Sequence, residues 1–93
     1  MADLIGEGRL GTWLEGHAWA LRDGGLEREW SFRDFAAALG FVTAVGGLAE
    51  SQGHHPDIAL HDYNQVRLRL RTHSSGGITE NDLELAERVD ELQ

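Results

Sequence analysis

Three of the five histidines have the types and spacing that could do chemistry. His54 and His55 are adjacent and run directly into Pro56, and His73 closes the alternating segment Gln65 to Thr72. Imidazole titrates near neutrality, so a histidine cluster can donate and accept protons with no cofactor. Proline biases His55 toward an extended conformation, which puts the pair at a helix-to-strand junction. Two other readings compete. A histidine at a strand end is ordinarily a surface or capping group. Three histidines with Glu50 or Asp82 would also suit zinc or iron. Neighbours in an extended segment point to opposite faces, however, so His54 and His55 are poorly placed to share one ion. Acid–base work without a metal is the stronger reading.

The elements that must position these residues follow from apolar periodicity. Leu10, Trp13 and Leu14 predict a short amphipathic helix over Glu7 to Glu15, with Gly16 as its stop. His17 to Arg22 alternates as a strand. Asp23-Gly24-Gly25 is a tight turn, and Leu26 to Phe32 alternates again with Trp30 and Phe32 on one face. The longest helix enters through Ser31 to Phe35 and ends near Gln52-Gly53, with Phe35, Leu39, Val42, Val45 and Ala49 as its apolar stripe. Gly40, Gly46 and Gly47 each cost roughly 1 kcal/mol against alanine in a helix interior, which points to a second backbone packing closely there.

After Pro56, Ile58 and Leu60 mark a third strand, and Tyr63-Asn64 a turn. Gln65 to Thr72 is the clearest strand, with Val66, Leu68 and Leu70 facing one way and Arg67, Arg69 and Arg71 the other. Glu27 and Glu29 on the first hairpin are placed to pair with that arginine face. Ser74 to Gly77 is a loop. Thr79 then opens a last helix with a capping box closed by Asp82, and Leu85, Ala86, Val89 and Leu92 form its stripe. The order α-β-β-α-β-β-α predicts an α+β fold: one antiparallel sheet with helices on one side.

Composition narrows the function classes. The 93 residues suffice for one core and so for one domain over 1–93, burying only about 60–65% of the unfolded surface. Sixteen acidic residues face eight basic ones, all arginine, and the net charge of −8 disfavours direct binding to nucleic acid or an anionic membrane. There is no cysteine, hence no disulfide, thiolate nucleophile or cysteine zinc site. The N-terminal residues lack the basic flank and apolar run of a signal peptide, and Phe35 to Ala49 is too short to span a bilayer. The expectation is a cytoplasmic domain.

The spacing of the chemical residues resembles the signature of the pterin-4a-carbinolamine dehydratases. Glu50 is followed after three residues by His54-His55-Pro56, six residues later by Tyr63, nine later by His73 and eight later by Asp82. Trp30-Ser31-Phe32-Arg33-Asp34-Phe35 is similar to that family's entry to its long helix, and the likeness extends over roughly Trp19 to Leu92. It implies a four-stranded antiparallel sheet with three helices packed on one face. It also implies dehydration of a 4a-hydroxytetrahydropterin to the quinonoid dihydropterin, in pterin cofactor recycling. His54, His55 and His73 would be the catalytic acid, base and orienting groups. Glu50, Pro56 and Asp82 would help bind the substrate, with no metal and no separate cofactor.

The resemblance further implies a homodimer or homotetramer, with a pterin-dependent aromatic amino-acid hydroxylase as a client. A non-catalytic use of the same fold is the alternative, as a transcription-factor dimerisation cofactor or a carboxylase assembly chaperone. Retention of all three histidines and both carboxylates favours the enzyme. Departures from the family pattern are Gly53 and Asn81, and the longer interval before Tyr63, which predicts a bulge near His61-Asp62 and makes His61 an extra surface histidine.

Overall fold

The computed structural model describes residues 2–92. Its elements are α1 (Glu7–Glu15), β1 (Ala20–Arg22), β2 (Gly25–Ser31), α2 (Phe35–Gln52), β3 (Asp57–His61), β4 (Gln65–Leu70) and α3 (Glu80–Asp90), with a 3-10 turn at His73–Ser75 before α3. The four strands form one antiparallel sheet in the order β1-β2-β4-β3. The α+β class and the order of elements are as the sequence predicted.

Alternation decides the sheet's two faces. Leu26 and Trp30 of β2 lie beside Leu70 and Val66 of β4, and these join Leu68 in the core. The long helix α2 and the last helix α3 close that face, adding Ala38, Phe41, Val45, Leu83, Leu85, Ala86 and Val89. Aromatic rings bind the layers together: Phe41 lies 4.8 Å from Trp30 and 5.0 Å from Phe32, centroid to centroid. The first helix α1 lies along α3, where the Trp13 indole donates to Glu87 and Arg9 pairs with Glu80. Trp19 and Arg28 converge on Asp90 at the end of α3.

On the opposite face Arg69 pairs with Glu27 at 3.0 Å, as the charge pattern suggested. Arg67 sits across from Glu29 in register, but no ion pair forms between them. Arg69 does more than pair. Its guanidinium also donates to the carbonyls of Arg22 and Asp23, bracing the β1–β2 turn from below. Gly25 makes room for it, because a Cβ there would lie 2.7 Å from the guanidinium carbon. The turn is a two-residue Asp23-Gly24 loop with both residues at positive φ, the geometry that suits the twist of a hairpin.

Several expectations need correction. The buried stripe of α2 is Ala38, Phe41, Val45 and Ala49, whereas Phe35 and Leu39 are 51% and 47% exposed. Apolar residues run around most of this helix, so periodicity alone could not choose the inward face. A Cβ at Gly40, Gly46 or Gly47 would meet nothing within 4 Å, so among the described residues no second backbone packs closely against them. β1 begins at Ala20, and Leu21 is exposed because this three-residue edge strand has no helix over it. β4 stops at Leu70, and Leu92 lies exposed beyond α3. The β3–β4 register runs unbroken to His61↔Gln65, so there is no bulge near His61-Asp62. The extra length is absorbed in the turn, where Asp62 and Tyr63 take φ values of 47° and 54°.

These placements predict opposite outcomes for two glycine substitutions. Gly25→Ala should displace Arg69 from its carbonyls and lower stability by roughly 1–2 kcal/mol. Gly47→Ala should be neutral or stabilising by up to about 1 kcal/mol. Urea denaturation of the two variants beside the parent checks both.

Candidate active site

The site is built where α2 ends, β4 ends and α3 begins. Gly53 adopts the left-handed conformation with φ 69°, which lets the chain turn back on α2. The Gly53 amide donates to the Glu50 carbonyl and the His54 amide to the Ala49 carbonyl, the paired bonds of a Schellman motif. That motif explains a glycine immediately before the histidine pair. It fixes the His54 backbone, and Pro56 then leads into β3 by a trans peptide bond.

Beyond β4, Thr72 forms an isolated bridge with Gly77, which closes a short loop holding the 3-10 turn. Thr79 then opens α3 with the expected capping box, in which Asp82 Oδ2 accepts the Thr79 amide at 2.9 Å. The same oxygen accepts the Thr72 hydroxyl at 2.8 Å. A hydroxyl has one proton, and that of Thr72 points to Asp82; the 2.7 Å contact between the two threonine hydroxyls is therefore donated by Thr79. The other carboxylate oxygen, Oδ1, meets His54 Nε2 at 2.6 Å. Asp82 is 0% exposed, and the His54 side chain only 13%.

His55 sits in a contrasting setting. Its Nε2 pairs with Glu50 Oε2, but both side chains are well exposed, at 65% and 77%. The structure thus joins His54 to Asp82 and His55 to Glu50, each imidazole facing its own carboxylate. Pro56 is half-buried between them and β3. His73 is exposed in the 3-10 turn, not at a strand end, and its ring makes no hydrogen bond with the other two pairs. Chain connectivity still places it next to Thr72, hence one residue from the Asp82 network. His61, at the far end of β3, pairs through Nδ1 with its neighbour Asp62, while its Nε2 is buried without a hydrogen-bond partner among the described residues. Tyr63 lies at that same far end, 64% exposed.

Thr72 was not among the residues singled out from sequence, and Thr79 only as a helix cap. Their signal was their position, Thr72 immediately before His73 and Thr79 three residues before Asp82. Among the described residues no three His, Asp or Glu side chains are grouped so as to hold a metal ion. Two surface clefts, about 460 Å³ beside Trp19 and Arg28 and about 590 Å³ between Phe32, Phe41 and Leu92, contain none of the three histidines. His55 and His73 are exposed, whereas His54 is mostly covered.

A sheet covered on one face by three helices, with imidazole–carboxylate pairs where the long helix meets the sheet, defines a small α+β protein. The family model described as Pterin 4 alpha carbinolamine dehydratase matches residues 6–92. The chain belongs to that family, whose enzyme class is that of a hydro-lyase. A Chloroflexus aurantiacus protein bearing the pterin-4-alpha-carbinolamine dehydratase name is 49% identical over 74 residues, covering 80% of this chain and 78% of that protein. A solved structure of a transcriptional coactivator/pterin dehydratase from Brucella melitensis superposes with a TM-score of 0.89 at 30% identity, over 97% of this chain and 98% of that one. A pterin dehydratase-like RuBisCO assembly factor of the alpha-carboxysome superposes at 0.68 and 28% identity, over 82% and 89%.

The two carboxylates should separate cleanly in stability. Asp82→Ala strands three buried or nearly buried donors and removes a cap, and should cost roughly 2–4 kcal/mol. Glu50→Ala breaks an exposed pair and should change stability by no more than about 0.5 kcal/mol. Equilibrium denaturation reads both.

Proposed function

We propose that this protein dehydrates a 4a-hydroxytetrahydropterin to the quinonoid dihydropterin, with His54, His55 and His73 as its acid, base and orienting groups. The observation that carries the reading is the pair of imidazole–carboxylate contacts at the α2–β3 junction, in a chain of this family. The reaction is loss of water. The C4a–O bond breaks as the departing hydroxyl takes a proton, and the electrons of the N5–H bond form the C4a–N5 double bond as a base removes that proton. No electron changes hands, so histidines near neutrality meet the whole need without a metal or redox cofactor. Glu50 and Asp82 hold the rings that exchange the protons, and Pro56 shapes the surface on which the flat pterin lies.

The reading extends to a single catalytic domain over 1–93, acting in the cytoplasm, where its acidic, cysteine-free composition suits it. Its pterin would come from an aromatic amino-acid hydroxylase. A homodimer or homotetramer is supported by the exposed Phe35 and Leu39 on α2, in a chain whose own core is small. The coactivator and assembly-factor names of the two solved relatives support the alternative of a non-catalytic module. The retained histidine–carboxylate pairs favour catalysis.

Synthetic 4a-hydroxytetrahydropterin tests the activity. The protein should accelerate formation of quinonoid product over the spontaneous rate, and His54→Ala should lower kcat by about 10²-fold or more. No acceleration, or acceleration that survives replacement of His54, His55 and His73 together by alanine, overturns the proposal. Sedimentation equilibrium at micromolar concentration should return two or four chains, and Leu39→Glu should shift the population toward monomer.

A further inference from the structure

Among the described residues, Asp82 alone is bonded to both the buried threonine pair and a histidine ring. We propose that Thr72, acting through Asp82, is a positioning residue that fixes the tautomer of His54, so that this ring exchanges protons with substrate through Nδ1 alone. The inference rests on the dehydratase reading of the same site and assigns the working atom within it.

The argument follows from counting donors. As a carboxylate Asp82 can only accept, so its 2.6 Å contact with His54 requires the ring proton on Nε2. Oδ2 meanwhile accepts the Thr72 hydroxyl and the Thr79 amide, and the Thr79 hydroxyl donates to Thr72 in turn. These donors come from two elements and are buried, so the carboxylate cannot rotate without leaving one of them unpaired. Its remaining direction is toward the ring. Among the described residues Nδ1 of His54 has no hydrogen-bond partner, and it is not a buried unpartnered atom, so it is the nitrogen open to a ligand.

In the neutral ring Nδ1 presents a lone pair. It takes one proton to give an imidazolium held by Asp82, and release of that proton to substrate or water restores the starting tautomer. Thr72 touches neither the ring nor the substrate. Without its hydroxyl Oδ2 loses one donor, and Asp82 is free to turn away from His54.

Long-range ¹H–¹⁵N spectra of the ligand-free, ¹⁵N-histidine-labelled protein test this without any turnover. The proposal expects the Nε2–H tautomer at His54 in the parent protein. In Thr72→Val it expects a mixture of tautomers with kcat lowered about tenfold and KM little changed, and in Thr72→Ser a return to the parent on both measures. In Asp82→Asn the amide can donate to the ring and fix the wrong tautomer, with a loss of up to about 10⁴-fold. A parent protein with the proton on Nδ1 overturns the inference, even if no variant folds. So does a Thr72→Val protein whose His54 tautomer or kcat matches the parent. If the parent fails to accelerate pterin dehydration, the dehydratase reading falls, and with it the catalytic use of Nδ1. The spectra still decide separately whether Thr72 and Asp82 set the tautomer.

Discussion

A single buried carboxylate ties the His54 imidazole to the fold. Asp82 is 0% exposed, and a buried carboxylate is tolerated only when it is surrounded by donors. Those donors come from the end of β4, the start of α3 and the junction after α2. The end of β4 and the start of α3 are linked by the short loop that the Thr72–Gly77 bridge closes, whereas the junction after α2 is remote from both in sequence. The carboxylate is therefore both a helix cap and the point at which three parts of the chain are brought into register, and the His54 ring is positioned as part of the same act.

The same device recurs elsewhere with different partners. Asp90, at the far end of α3, accepts from the Trp19 indole and from Arg28, which itself lies over the Trp30 ring. Arg69 gathers Glu27 and two carbonyls of the first hairpin. In each case one side chain with several hydrogen-bonding atoms joins segments far apart in sequence. A small core cannot specify every contact by apolar packing, and these polar ties supply direction that the hydrophobic effect lacks.

What the sequence made legible was periodic or local. Val66, Leu68 and Leu70 alternate, and they are buried. Thr79 and Asp82 sit at capping-box spacing, and the box forms. The His-His-Pro run with its flanking acids identified the family. What was not legible required tertiary information. The inward face of α2 could not be read from a helix apolar on several sides, so Phe35 and Leu39 were assigned to the core and lie outside it. Nor could the partner of each histidine be read. Only with the reversal of the chain at Gly53 does His54 turn to Asp82 and His55 to Glu50. The motif spacing also joins residues from both ends of the sheet. Tyr63 belongs to the pattern yet lies at the tip of the β3–β4 turn, away from the imidazoles.

The unequal burial of the two adjacent histidines has an entropic consequence. His54 is tethered by its backbone amide and by its ring, so a ligand arriving at its free nitrogen meets a group whose rotamer is already selected. His55 and Glu50 are held only by each other in solvent, and each surrenders rotational freedom when a ligand orders it, at a cost of roughly 0.5–1.5 kcal/mol per side chain. The pair thus combines one preorganised imidazole with one that adapts. The first presents a fixed geometry, and the second can adjust its own.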